Sequence, residues 1–234
     1  MSTFFPKCEK LSLTTGITSS LFKMNDKSQT QIMISKIQPG AIMLPHQHSD
    51  VQIGLSLFGR FLMEVDAQEQ VLEPLRTAYI AGPNVPHGAR NIFNECAISL
   101  DIKHANVKKS SSAKAGNGKF LILTNDITLK TGIRMSFFVS PWCEIMLSYI
   151  PPHAVMPVHS HENEQFGIAV QGKYTMQIGD EEETFEYGKV YYSPPNIPHG
   201  AFNPYNEEAV SLNIFVPPRY NLIPKRERSS ERIE

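Results

Sequence analysis

Eight residues of this chain have the types and spacing to hold two metal ions. Pro45-His46-Gln47-His48 is followed by Gln52 and, further on, by His87 within Pro86-His87-Gly88-Ala89. The same order returns as His159, His161, Gln165 and His199, the last within Pro198-His199-Gly200-Ala201. His46 and His159 stand 113 positions apart, and His87 and His199 112. Neutral imidazole is the commonest protein ligand for divalent transition metals. In an extended segment His-x-His puts two rings on one face, and Gln52 and Gln165 keep that parity unless a turn breaks the phase. A lone histidine beside a turn is more simply a hydrogen-bonding group, but that reading does not explain a spacing that recurs. The pattern predicts one site from His46, His48, Gln52 and His87 and another from His159, His161, Gln165 and His199. Each would take one divalent transition ion, Fe2+ or Co2+ first, with Zn2+, Ni2+ or Cu2+ as alternatives, because such a shell accepts them all.

The elements that must position these groups read as strands. Val51, Ile53, Leu55 and Leu57 alternate with Gln52, Gly54 and Ser56, and Tyr174, Met176 and Ile178 alternate before the Gly179-Asp180 turn signal. The repeat makes the chain two copies of one domain, each a barrel or sandwich. The expected organisation is an N-terminal barrel over 1–103, a linker over 104–118, a C-terminal barrel over 119–221 and a polar tail over 222–234. The linker is rich in Lys, Ser, Gly and Asn and shows no apolar periodicity. Lys and Arg total 22 against 23 acidic residues, which removes the basic excess expected of a nucleic-acid binder. No apolar stretch reaches the roughly 20 residues that span a bilayer, and residues 1–10 lack a secretory pattern. Cys8, Cys96 and Cys143 are too scattered for a metal or redox motif, so they read as reduced thiols in a cytoplasmic protein. A homodimer is left open.

Gly40, His46-x-His48, Gln52 and Gly59, with His87 and Asn91 beyond, resemble the two cupin motifs. The second half matches except that His153 stands where the leading glycine would be. Glutamine replaces the usual acidic cupin ligand in both halves. These glutamines, the paired Pro-His-Gly-Ala segments and the ending Asn213-Ile214-Phe215-Val216-Pro217-Pro218-Arg219-Tyr220-Asn221 resemble the bicupin isomerases of bacilysin and aeruginosin biosynthesis. The resemblance covers about residues 40–221. It implies an all-β fold of two tandem jelly-roll cupin barrels and an isomerase that moves a carbon–carbon double bond. The implied substrate is dihydro-4-hydroxyphenylpyruvate, a prephenate-derived 2-oxo acid.

Three imidazoles and an amide leave a dication with its full formal charge, suiting it to polarise a 2-oxo acid. Proton transfer needs a group not tied to the metal. The resemblance offers Tyr220 for this catalytic role, against which stands a packing tyrosine with a bonded hydroxyl. Arg90, three residues past His87, is a candidate for an acid's carboxylate, against a surface ion pair. Phe202 holds the equivalent place in the second copy and would give an apolar pocket for a ring, which makes the second site the expected catalytic one. Arg219 is a candidate carboxylate clamp, against a solvent-facing strand end. The same ligands would also serve a cupin dioxygenase or a non-catalytic binder of small acids.

Overall fold

The structure, a computed structural model, describes residues 4–24, 28–105, 118–124 and 126–222, and every regular element among them is a strand. Residues 7–123 form one unit, and residues 4–6 with those from 124 onward form a second. In the first unit the larger sheet runs β1 (Glu9–Thr14), β2 (Ile17–Lys23), β3 (Thr30–Ile37), β10 (Ala97–His104), β5 (Val51–Phe58), β8 (Thr77–Ala81) and β11 (Lys119–Ile122). Its smaller sheet runs β4 (Ile42–His46), β9 (His87–Arg90), β6 (Phe61–Val65) and β7 (Gln68–Leu72).

In the second unit the larger sheet runs β12 (Ile127–Thr128), β13 (Arg134–Val139), β14 (Glu144–Ile150), β21 (Ala209–Val216), β16 (Glu164–Gln171) and β19 (Val190–Ser193). The smaller runs β15 (Val155–His159), β20 (His199–Phe202), β17 (Lys173–Ile178) and β18 (Glu181–Glu186). Each unit is thus a jelly roll of two antiparallel sheets with its core between them. The expected fold holds, as a two-sheeted jelly roll rather than one continuous ring of strands.

Alternation explains the packing. In β17, Tyr174, Met176 and Ile178 are buried while Lys173, Thr175 and Gln177 are not, and the buried set joins Phe137, Met146, Phe185 and Tyr191 in one cluster. In the first unit Phe61, Met63 and Val65 of β6 join Ile17, Ile37 and Tyr79. β5 departs from simple alternation, because Val51 to Leu57 are buried on both faces.

The domain limits differ from those expected. Residues 119–122 extend the first unit, pairing with β8 as Lys119↔Ile80 to Ile122↔Thr77. The chain passes to the second unit only after Leu123, whose N–H donates to Arg76 O at 3.0 Å. At the other end the Phe4 carbonyl accepts the N–H of Tyr192 at 2.7 Å, which ties residues 4–6 to the second unit. Open sheet edges offer unpaired backbone groups, and these short segments satisfy them. His104 ends β10; positions 106–117 of the expected linker and 223–234 of the expected tail lie outside the described residues.

Two local features hold the site-bearing loops. Gly40 and His153 have φ of +76° and +62°. Their N–H groups donate to the carbonyls of Asn91 and Asn203 at 2.9 and 2.8 Å. The histidine therefore adopts the left-handed turn that glycine takes in the first copy, at a cost of about 1 kcal/mol. The second feature is a close approach. A Cβ on Gly54 would lie 2.4 Å from the Tyr79 ring, and one on Gly167 1.9 Å from that of Tyr191. Gly167→Ala is therefore expected to push Tyr191 aside and destabilise the fold by roughly 1–3 kcal/mol, readable by urea unfolding. An unshifted midpoint would mean that the tyrosine has room to move.

Candidate metal centres and their cavities

The two histidine sets converge. The ligand atoms of His46, His48 and His87 lie within 4.8 Å of one another, as do those of His159, His161 and His199. His46 ends β4 opposite His87 at the start of β9, and His159 pairs likewise with His199. His48 and His161 lie just past those strand ends, in the loops leading to β5 and β16. The His-x-His pair is therefore made by a strand end and a loop, not by one continuous strand. Gln52 and Gln165 come from β5 and β16 and are 4% and 5% exposed, so their amides must find partners inside the protein.

Hydrogen bonding fixes the orientation of each group. The Nδ1 atoms of His46, His48 and His87 lie 3.1, 3.0 and 2.9 Å from the carbonyls of Leu44, Asp50 and Val85. Those of His159, His161 and His199 lie 2.9, 3.0 and 2.8 Å from the carbonyls of Pro157, Asn163 and Ile197. A carbonyl only accepts, so each Nδ1 carries the proton and each Nε2 presents a lone pair. The glutamines are fixed from behind. Gln52 Nε2 donates to the Tyr79 hydroxyl and to Asp101 Oδ1 at 2.9 Å. Gln165 Nε2 donates to the Tyr191 hydroxyl at 2.6 Å and to Asn213 Oδ1 at 3.2 Å. Each glutamine must then aim Oε1 at the imidazoles, with His48 Nε2 at 2.9 Å in the first unit. In the second unit His161 and His199 Nε2 lie at 2.9 and 3.0 Å.

Lone pairs facing lone pairs at such distances repel unless a cation lies among them. Among the described residues His87 Nε2 is moreover buried without a hydrogen-bond partner. Burial, with smaller contributions from the neighbouring histidines, pushes His87 and His199 down to about 4, and burial also lowers His161. The His87, His161 and His199 rings are thus neutral at pH 7, as metal ligation requires. A divalent cation fits both donor sets, and backbone carbonyls on the far ring nitrogens are the usual support for metal-bound histidine.

Each centre opens into a cavity, of about 300 Å³ in the first unit and about 290 Å³ in the second. Arg219 lines the second. Its guanidinium lies 3.5 Å from the Phe215 ring centroid, and its Nε is buried with no hydrogen-bond partner among the described residues. Burial pulls its pKa down from the ordinary value while the Glu144 carboxylate opposes this. Glu144, fully buried, was not singled out in the sequence. Its Oε2 accepts the N–H groups of Arg219 and Tyr220 at 3.0 and 2.7 Å, which pins the turn that sends Arg219 inward.

Three expected site residues lie elsewhere. Tyr220, with φ +57°, leaves that turn in another direction and donates its hydroxyl to Ser140 O at 3.3 Å; it is not among the residues lining the cavity. Arg90 pairs with Glu69 on the exposed side of the small sheet, an ion pair worth at most about 1 kcal/mol, and does not line the first cavity. Phe202 is 40% exposed and borders an outer groove instead. Strand parity accounts for the last two, since three residues past an inward histidine a side chain points outward. The difference between the cavities comes from other positions. Asp101, Lys103 and Phe61 of the first are replaced by Asn213, Phe215 and Tyr174 in the second. The tyrosines and Asp101 or Asn213 behind the glutamines were not anticipated either. The signal available for Asp101 and Asn213 was their shared parity with cavity-facing neighbours on the last strand of each copy.

Two jelly rolls, each with three imidazoles and an amide oxygen converging at the mouth of an apolar cavity, define a bicupin, and the family profile for a cupin domain matches residues 146–215. Over 196 residues the chain is 39% identical to the H2HPP isomerase of Bacillus subtilis, covering 83% of this chain and 82% of that protein. The chain belongs to the H2HPP isomerase family and is an isomerase. The crystal structure of AerE from Microcystis aeruginosa is similar with a TM-score of 0.82 at 27% identity, covering 92% of this chain and 99% of that one. Bacillus subtilis oxalate decarboxylase, a protein with Mn(II) centres, shares the fold at a TM-score of 0.76 and 14% identity, over 98% of this chain and 84% of its own. All three cysteines are free thiols, and no helix among the described residues is long and apolar enough to cross a membrane.

Proposed function

We propose that the chain shifts a ring double bond of dihydro-4-hydroxyphenylpyruvate into conjugation with the side-chain ketone, in the cavity of the second unit. The route would be a cytoplasmic one, to a bacilysin- or aeruginosin-type product. The observation that carries this reading is Arg219, an inward-facing guanidinium beside the His159, His161, His199 and Gln165 set. The family membership supports the substrate, a keto acid with a ring.

His159, His161, Gln165 and His199 would hold the metal here, and His46, His48, Gln52 and His87 the ion of the first unit, iron or cobalt being the preferred ions. Bound in the second unit, the cation would supply Lewis-acid polarisation of a chelated 2-oxo acid. The chain's own side chains do the rest. Arg219 binds the carboxylate, since a planar guanidinium matches two carboxylate oxygens. Phe215, Met146 and Met176 offer an apolar bed for the ring and keep water from it. Tyr174 Oη lies 2.9 Å from Ser211 Oγ in the cavity wall. Burial pushes that phenol's pKa well up, so it stands as a protonated hydroxyl near the ring. Tyr191 is committed to Asn213 at 2.6 Å and positions Gln165. Asn213 stands behind Gln165 where the Asp101 carboxylate stands behind Gln52, so the second site keeps more of a dication's charge.

The test is incubation of metal-loaded protein with the prephenate-derived keto acid under argon, following the ultraviolet band of the conjugated product. Growth of the band at unchanged substrate mass is the expected result. A requirement for oxygen would replace this reading with a dioxygenase, and binding without turnover would replace it with an acid-binding protein.

A further inference from the structure

The two cavities are built to one plan. Each of Met33, Met63 and Tyr79 in the first has its equivalent in the second as Met146, Met176 and Tyr191. The sheet registers fix these equivalences. Asp101 pairs with both Met33 and Gly54, as Asn213 pairs with both Met146 and Gly167. Met63 faces Ala89 as Met176 faces Ala201. The volumes agree as well, at about 300 and 290 Å³. A cavity that served only to carry a structural ion would not need the same apolar bed.

Each cavity also holds one cation, brought by a different route. In the second, Phe215 faces Gln165 across the ladder, and Arg219 arrives from beyond the strand and lies on the Phe215 ring. In the first, the position facing Gln52 is Lys103 itself, and it lines the cavity. Among the described residues Lys103 has no hydrogen-bonding side-chain partner and no ion pair within 4.0 Å. Asp101, two positions away on the same face, already accepts from Gln52 at 2.9 Å, Tyr79 at 2.5 Å and Ser99 at 3.2 Å. A half-buried ammonium at the wall of this apolar cavity, with the neighbouring carboxylate already engaged, is placed to take an anion as its partner.

We infer that the cavity of the first unit is a second binding site for a ring-bearing 2-oxo acid, with the Lys103 ammonium taking the carboxylate. This rests on the reading of the second cavity as an acid site. Phe61 stands where Tyr174 stands in that cavity, so the hydroxyl facing the ring is missing and the inference is one of binding.

The experiment is calorimetric titration of metal-loaded protein with phenylpyruvate, a ring-bearing 2-oxo acid with no ring double bond to migrate. The wild-type chain should take two equivalents, Lys103→Met one, and Lys103→Arg two again. Arg219→Met should lose the other equivalent. A wild-type stoichiometry of one that Arg219→Met abolishes would overturn the inference while leaving the isomerase reading intact. Two equivalents in Lys103→Met would remove Lys103 from the site, and one equivalent in both lysine variants would assign the loss to structure rather than charge. No binding at either cavity would overturn both readings.

Discussion

Replacing His199 with alanine is expected to abolish double-bond migration and to lower the metal content from two ions per chain to one. His199 is 2% exposed, its Nδ1 is held by the carbonyl of Ile197 and its Nε2 lies 3.0 Å from Gln165 Oε1. Removing the ring leaves His159, His161 and Gln165, a donor set short of the four that hold a tetrahedral ion. Losing a residue that only supports a ligand already costs roughly 10- to 100-fold in affinity or activity, so loss of the ligand itself should exceed about 100-fold. Metal analysis and the ultraviolet assay read the two effects separately. If one ion were lost and turnover stayed, the chemistry would belong to the first cavity.

Arg219→Met is the second large effect, and it should fall on the substrate rather than on the metal. The guanidinium is a half-buried cation lying on Phe215, and methionine keeps much of its length and apolar contact. Deleting one partner of a buried, hydrogen-bonded charge pair costs about 2–5 kcal/mol, which is roughly a 30- to 4000-fold fall in kcat/KM. Both ions should remain bound, because no atom of Arg219 belongs to the donor set. The turn itself should also persist, since Glu144 holds it through the backbone N–H groups of residues 219 and 220. Arg219→Lys should recover only part of the loss, a point charge replacing a planar fork. A kcat/KM within twofold of wild type would remove Arg219 from the site.

These two residues differ in how far they could be read in advance. His199 was legible because a repeated spacing needs no knowledge of distant contacts. Arg219 was one of two open readings, and its inward course depends on Glu144, 75 positions earlier in the chain. Tyr220 shows the same dependence with the opposite result, since the turn that admits its neighbour turns it away. Arg90 and Phe202 were misplaced for a local reason, because alternation along β9 and β20 already put them outside.

The amino-acid order by itself determined the two copies, their strands and the eight converging donors. Hydrophobic alternation and short ligand spacings act through neighbouring residues, where backbone geometry alone sets direction. Only the tertiary structure decided what stands behind each glutamine, which cation faces each cavity and where one unit ends. Those outcomes depend on strand register. Tyr79 and Asp101 reach Gln52 across 27 and 49 positions of chain, and a slip of one residue in either ladder would turn them to the other face.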